Sequence, residues 1–507
     1  SADPQVVRWT LRDDAVWDDG SPVTSADVSR TLDYILDPES GATAPTLYEG
    51  VTLTAIDAQT FDLTFSQPSG AHRVLFSTFH PVIKAAAYDA HLAAGNSAST
   101  FLALGIDFSA GPFKVAGYDS KQRLTLVHND QWWGEAGLLE RITIRRFESS
   151  RAQIDAIEAG DVDIVFVETP ITGNGPRAAA IESVLVGVGI AEQWLRIDMN
   201  TRNGPTAELA VRTAIATALD RARTNGGAVA PITGQAPPSL NSLVWPSSHP
   251  SNTDPFDIYT VDVPAAGAIL QAAGWELRQV GDIEARFKDG EVLEIEMFYD
   301  HLNGVLGQAV AADLVVQLNE AGIRVVASVL DDDVAFERRL AGDYDLVVAV
   351  GVASPDPVAA GFRWSSEFCP VQFNSPGCES EFATNTTGIS DPMLDEILAA
   401  ASAEPDNATR LQLFSDADQR LAEMVPTLPL FELPAFVAYS DQLGGVSLDT
   451  HRGGRSRAWP TGVTSRTRPN SALTRPFTSP SRRGPRFSSS TRPVGPLGRR
   501  PQMNFKR

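Results

Sequence analysis

Apolar residues recur along this chain with two different periods, and the switches between them mark its elements. Near the start "VVRWTL" alternates apolar and polar positions, the period of a strand. "DDG" then supplies a turn, with Gly20 free to take a positive φ. Thr24 and Asp27 have the spacing of a capping box for a helix over Ser25 to Leu36, with Val28, Leu32 and Ile35 along one face. "VTLTAIDAQTFDLTFSQ" and "GPFKVAGYDSKQRLTLVHND" each read as a hairpin. "SRAQIDAIEAGDVDIVFV" changes from a helical period to a short buried strand at Gly160, a unit of an α/β lobe. "ELAVRTAIATALDRART" reads as one helix carrying Val211, Ile215 and Leu219.

From about Gly226 to Val263 the chain is rich in Pro, Ser, Asn and Gly, a loop that needs its aromatics as pins to stay ordered. A second alternation of helices and strands follows, through "ILQAAGW", "LEIEMFY", "LGQAVAADLVVQLNEAGI" and "YDLVVAV". Two helices, "PMLDEILAAASA" and "ATRLQLFSDADQRLAEMV", close it before an extended "PTLPLFELPAFVAYS". At 507 residues two or three cores are expected, because single cores stop growing near roughly 250–300 residues. No apolar run of about 18 residues occurs, which argues against a membrane-spanning helix, and the N-terminus has no basic-then-apolar secretion signal.

Charge changes this picture at the C-terminal end. The net charge is -22, but residues 451–507 hold 14 Lys and Arg and no acid, so residues 1–450 carry 27 basic against 63 acidic residues. So acidic a body repels nucleic acid and anionic membranes. The tail has no apolar period and too little apolar surface to fold. It reads as translation of a shifted frame or an appended sequence, with a basic arm for nucleic acid or lipid as the alternative.

Five aspartates (Asp13, Asp14, Asp18, Asp19 and Asp27) surround Trp9 and Trp17, the residue types of a glycosidase or hard-metal site. Their positions in a turn and a helix cap assign them to structure instead. Cys369 and Cys378 lie in a Pro/Gly/Asn-rich loop, where they form a small disulfide in an oxidising compartment or remain two free thiols; a zinc pair is disfavoured without a nearby histidine. Gly-x-Ser-x-Gly, a phosphate loop, His-Glu-x-x-His and Cys-x-x-Cys are all absent, so no enzyme class, cofactor or metal is expected.

Several motifs, in order over residues 6–446, resemble the family 5 extracellular solute-binding proteins of ABC importers. They are "LRDDAVWDDGSPVTSADV", "GPFKV", "LTLVHNDQWWG", "RIDMNTRNGPTAELAVRTAIATALDR", "YDLVVAVGVASPDP" and "VPTLPLF". The resemblance implies a two-lobed, type II periplasmic-binding-protein-like α/β fold with an extra subdomain, closing on its ligand by hinge motion. Carried over, residues 1–105 are part of the extra subdomain, 106–197 with 433–450 lobe I, 198–432 lobe II, and 451–507 a disordered tail. The crossovers fall near Asp198 to Thr201 and Glu432 to Phe436. Relatives carry the opening motif well inside the chain, so part of the first lobe is expected to be missing here.

The implied function is an extracytoplasmic, monomeric receptor that passes a small solute, above all a peptide, to importer permease subunits, with membrane contact only through a lipid anchor outside this chain. A sensing receptor, a binder of sugars, modified peptides or metal chelates, and a hydrolase are the alternatives. In peptide-binding relatives an Asp three residues before the Asp-Pro, itself preceded by a Trp, anchors the ligand amine; the matching positions are Ala353 and Val350, which have no charge to offer. Asp356 is then the candidate anchor or merely a turn former. Asn200 is placed at the crossover to touch ligand or brace the hinge. Phe362, Arg363 and Trp364 face the cleft or pack beneath the cysteine loop.

Overall fold

The computed structural model describes residues 5–446 except 43–44, 78–79, 103–104, 120–122, 136, 168–173, 234–235, 282, 301–303, 353–355, 381–383 and 445. The basic tail over 451–507 lies outside the described residues.

The opening segment forms a small unit of its own. β1 (Gln5–Thr10) precedes α1 (Ser25–Leu36), followed by β2 (Val51–Ala55), β3 (Thr60–Phe65) and α2 (Ala85–Ala93). The strands pair antiparallel with β3 in the middle, and Val28, Leu32 and Ile35 of α1 pack with Phe61, Leu63 and Tyr88. Here the aspartates divide into separate local tasks. The Asp27 carboxylate accepts the Thr24 N–H at 2.8 Å and, 2.8 Å away, the Ala85 N–H at the head of α2, clamping the two helices together. Asp19 accepts from the Ser21 amide (3.0 Å) and pairs with Lys84 (2.6 Å), Asp18 accepts the Ser109 amide (3.1 Å), and Asp14 pairs with Arg12. No group of three or more metal-binding side chains forms among the described residues.

A three-stranded meander follows: β4 (Phe113–Asp119), β5 (Arg123–His128) and β6 (Arg141–Arg145). Then come α3 (Ser150–Glu158), β7 (Ile164–Val167), α4 (Asn174–Ala179) and β8 (Val184–Met199). α3 is capped by the Ser149 hydroxyl, which accepts the Ala152 N–H at 3.2 Å, and it stops before Gly160 at φ 73°.

The helix read over 208–224 is two: α5 (Leu209–Ala218) and α6 (Arg221–Thr233). Leu219 is extended, the Asp220 N–H donates to Gln317 Oε1 (2.6 Å), and Asp220 Oδ1 accepts the Arg223 N–H (2.9 Å) as a new cap. α6 also runs on through Gly226 and Gly227, into what composition marks as loop, because Asn225 Nδ2 holds it to the Leu430 carbonyl (3.2 Å). The remaining loop up to α7 (Val263–Ala272) is pinned by buried Trp245 and Phe256, and also by Arg221, which donates to the carbonyls of Leu240, Pro429 and Phe256.

β9 (Glu276–Val280), β10 (Ile283–Lys288) and β11 (Glu291–Val292) make a small antiparallel sheet. β12 (Glu294–Asp300), α8 (Gly304–Glu320), β13 (Arg324–Leu330), α9 (Asp332–Ala341) and β14 (Leu346–Val352) then form parallel crossovers. α10 (Val358–Trp364), α11 (Pro392–Ala403), α12 (Asn407–Met424) and β15 (Thr427–Ser440) finish the described chain.

One six-stranded sheet, ordered β13-β12-β14-β8-β15-β7, runs through both lobes. β8 and β15 pair along almost their whole length. β8 residues from Gln193 to Met199 also pair with β14, whereas β15 residues from Phe436 to Tyr439 also pair with β7. The pairing of β15 with β8 shifts register between Pro429 and Phe431 and again between Glu432 and Pro434. Both shifts fall within a few residues of Glu432. Opposite these shifts, Trp194, Leu195 and Ile197 of β8 pack in the large hydrophobic core, while Gln193 to Met199 pair with β14.

The sulfurs of Cys369 and Cys378 are bonded, with Cα atoms 4.6 Å apart, and pack with Phe373. Reduction is expected to lower unfolding free energy by about 2–3 kcal/mol, from the chain entropy regained by so short a loop. Urea denaturation with and without dithiothreitol measures it; coincident curves would refute a stabilising role.

Candidate functional site

The face of β8 opposite its apolar side carries Trp194, Arg196 and Asp198, and β14 places Gly351, Ala349 and Val347 beside them. Period-2 alternation puts these three side chains together, and α9 and α10 cover them. Arg196 and Asp198 have only 5% and 2% of their surface exposed. Arg196 Nε donates to Asp198 Oδ1 at 2.8 Å; Thr427 Oγ1 donates to the same oxygen at 2.9 Å, and Arg339 Nη2 approaches Oδ2 at 3.3 Å. Burial works against the Asp198 charge, yet Arg196 and Arg339 hold its carboxyl below the usual range. Burial, reinforced by Asp198, pushes the adjoining Tyr344 phenol up. The cluster needs a glycine: a Cβ at Gly351 would sit 2.5 Å from Trp194 Cε2 and closer still to Arg196 Nη1.

Toward the lobe boundary, half-buried Arg363 of α10 lies with Cζ 5.8 Å from the Trp194 ring centroid and 5.5 Å from that of Trp364, while Arg196 lies 5.1 Å from the same Trp194 ring. Burial, with Arg196 and Arg339 adding to it against Asp198, pushes the Arg363 guanidinium down to about 9. The charged groups that act on it are thus two arginines and one aspartate.

Of the residues singled out from sequence, Arg363 and Trp364 reach this cluster. Asn200 does not: fully buried, it donates to the carbonyls of Gly342 (2.8 Å) and Tyr344 (3.0 Å) and accepts the amides of Arg202 (2.9 Å) and Asn203 (3.1 Å), so its amide braces the turn after β8. Asp356 accepts the Val358 amide at 2.9 Å, as a turn former would, and both its oxygens face the buried Arg410 guanidinium, one at 3.0 Å. A carboxylate paired on both oxygens has little left for a ligand amine. Phe362 lies in α10 with its side chain outside the described residues, as is Ala353, and Val350 is half-buried against the lobe II core. Sequence reading missed Trp194, Arg196, Asp198 and Arg339. The signal was available: Arg196 and Asp198 alternate with Leu195, Ile197 and Met199 in a strand that a two-lobed fold must bury on both faces.

The family model described as bacterial extracellular solute-binding proteins, family 5 middle, matches residues 1–368. The oligopeptide-binding protein OppA of Mycobacterium tuberculosis (strain ATCC 25618 / H37Rv) is 26% identical over 448 residues, covering 87% of this chain and 71% of that one. The nickel-binding periplasmic protein of Escherichia coli (strain K12) is 21% identical over 464 residues, covering 88% and 82%. Among solved structures, the periplasmic EDTA-binding protein EppA superposes with a TM-score of 0.73 at 22% identity, covering 87% of this chain and 81% of that one.

Proposed function

The chain belongs to family 5 of the bacterial extracellular solute-binding proteins, the receptors of ABC importers, and from that premise we propose that it captures a small solute, a peptide before others, between its lobes and delivers it to importer permease subunits. It acts outside the cytoplasmic membrane. The observation that carries the mechanism is the pair of long strands, β8 and β15, that join the lobes. The register shifts at Pro429/Phe431 and Glu432/Pro434 interrupt the ladder between them, and a few such residues can absorb a hinge rotation while each lobe stays packed. Asp356 and Asn200 serve the scaffold in this reading, and the ligand meets the Trp194–Arg363 end of the cluster instead. The protein captures and releases without turnover.

Thermal shift and small-angle scattering on the full chain, against defined pools of di- to pentapeptides, test the proposal. A bound pool is expected to raise Tm saturably, by RT ln(1 + [L]/Kd), and to reduce the radius of gyration. Peptide cleavage during the same incubation would sink the receptor reading in favour of a hydrolase.

A further inference from the structure

The charges around β8 do not balance. Three guanidiniums, of Arg196, Arg339 and Arg363, share one carboxylate, that of Asp198. Arg363 makes no hydrogen bond or ion pair among the described residues, its contacts being the faces of Trp194 and Trp364. Three donors in the same cluster are buried without a partner among the described residues: Arg196 Nη1, Arg339 Nε and Trp364 Nε1. Arg196 has 6% of its side chain exposed, and Trp364 is 1% exposed. Buried donors ordinarily find acceptors, and an uncompensated buried cation is costlier still, so such an excess marks a place where an acceptor arrives from outside. The excess is graded along β8. Asp198 is held by Thr427 and Arg339 away from the lobe boundary, while Trp194, Arg196 and Arg363 lie at the boundary end, beside the residues where β8 leaves for lobe I.

We propose that this end of the cluster is an oxyanion subsite, in which Arg363, with the free edge of Arg196 and the Trp194 and Trp364 rings, receives a carboxylate or comparable oxyanion of the solute. The subsite rests on the receptor reading above and narrows it: the solute is anchored by its negative end. That complements the absence of charge at Ala353 and Val350, and the commitment of Asp356 to Arg410. Guanidinium suits this task because it presents parallel donors to a planar oxyanion and stacks on indole while doing so.

Isothermal titration and thermal shift on the full chain use four probes: trialanine, its C-terminal amide, succinate and inorganic phosphate. Trialanine or one of the small anions is expected to bind at least about tenfold more tightly than the amide, about 1.4 kcal/mol. Arg363→Leu is expected to erase that preference and leave the ligand-free Tm equal or higher, with Arg363→Lys restoring part of the preference. Preference for trialanine assigns the anion to a peptide terminus, and preference for succinate or phosphate to a free small anion. No binding of any oxyanion, or equal binding of acid and amide, overturns the subsite. Binding of the amide alone would overturn it while leaving the receptor reading intact. A fall in the ligand-free Tm of Arg363→Leu with the acid preference retained would make Arg363 a packing residue and equally overturn the inference.

Discussion

Replacing Asp198 with asparagine is expected to cost about 3–5 kcal/mol of unfolding free energy, the largest single effect among the substitutions considered. Among the described residues Asp198 is the one acid that pairs with Arg196 and acts on Arg363, and it is almost fully buried. An asparagine keeps the shape and one acceptor for Thr427, but leaves three guanidiniums, of which Arg196 is almost fully buried, with no countercharge among the described residues. Removing one partner of a buried pair is costly because the surviving charge stays desolvated. Urea denaturation at fixed pH reads the effect as a lower midpoint at unchanged m-value. The double variant Asp198→Asn with Arg196→Met is expected to recover much of the loss, since it withdraws a cation together with the anion. A single-variant loss below about 1 kcal/mol would mean that solvent reaches the cluster and that its charges are not confined.

The second large effect concerns pH. Asp418 of α12 is fully buried, and its oxygens accept the Ser242 hydroxyl (2.5 Å) and the Leu243 amide (2.9 Å), which fastens the long loop before α7 to the helix. Those hydrogen bonds favour the charged carboxylate, but burial outweighs them and pushes Asp418 up to about 7. In the unfolded chain its value is near 4, so between about pH 4 and 7 the folded protein binds the extra proton and stability falls as pH rises through that window. The contribution is on the order of 4 kcal/mol across the window, fully present at its acid end and lost at its neutral end. Asp418→Asn, which keeps the shape and neutrality of the protonated carboxyl, is expected to remove this slope, so that wild type and variant are closest at about pH 4 and the variant gains on the wild type progressively toward neutrality. Parallel stability curves from pH 4 to 7 would show that Asp418 stays ionised throughout. Asp418→Ala is the harsher change, because it also orphans the Ser242 hydroxyl and the Leu243 amide, and it is expected to loosen the loop around buried Trp245.

How far the sequence could be read depended on the range of the forces involved. The Thr24–Asp27 box, the Ser149 cap and the stop at Gly160 are contacts made within a turn, so residue order alone specifies them. The break between α5 and α6 was not legible, because Gln317, far along the chain, takes the amide that frees Asp220 to cap the next helix. The candidate site divides along the same line. Arg363 and Trp364 could be nominated from their distance to the Asp-Pro motif, whereas the roles of Asp356 and Asn200 turned on Arg410 and on the Gly342 and Tyr344 carbonyls, which no local pattern announces.

By itself, then, the sequence determined the family, the alternation of helices and strands, the structural use of the opening aspartates and the absence of an acid at positions 350 and 353. All of these follow from short-range periodicity, capping chemistry and residue type. Only the tertiary structure decided how β8 is shared between β14 and β15, which carboxylates are already spent, and that three arginines converge on one aspartate. The reason is that pairing and charge balance in a buried cluster are sums over residues distant in sequence, Arg196, Arg339 and Arg363 among them, and the fold alone brings those terms together.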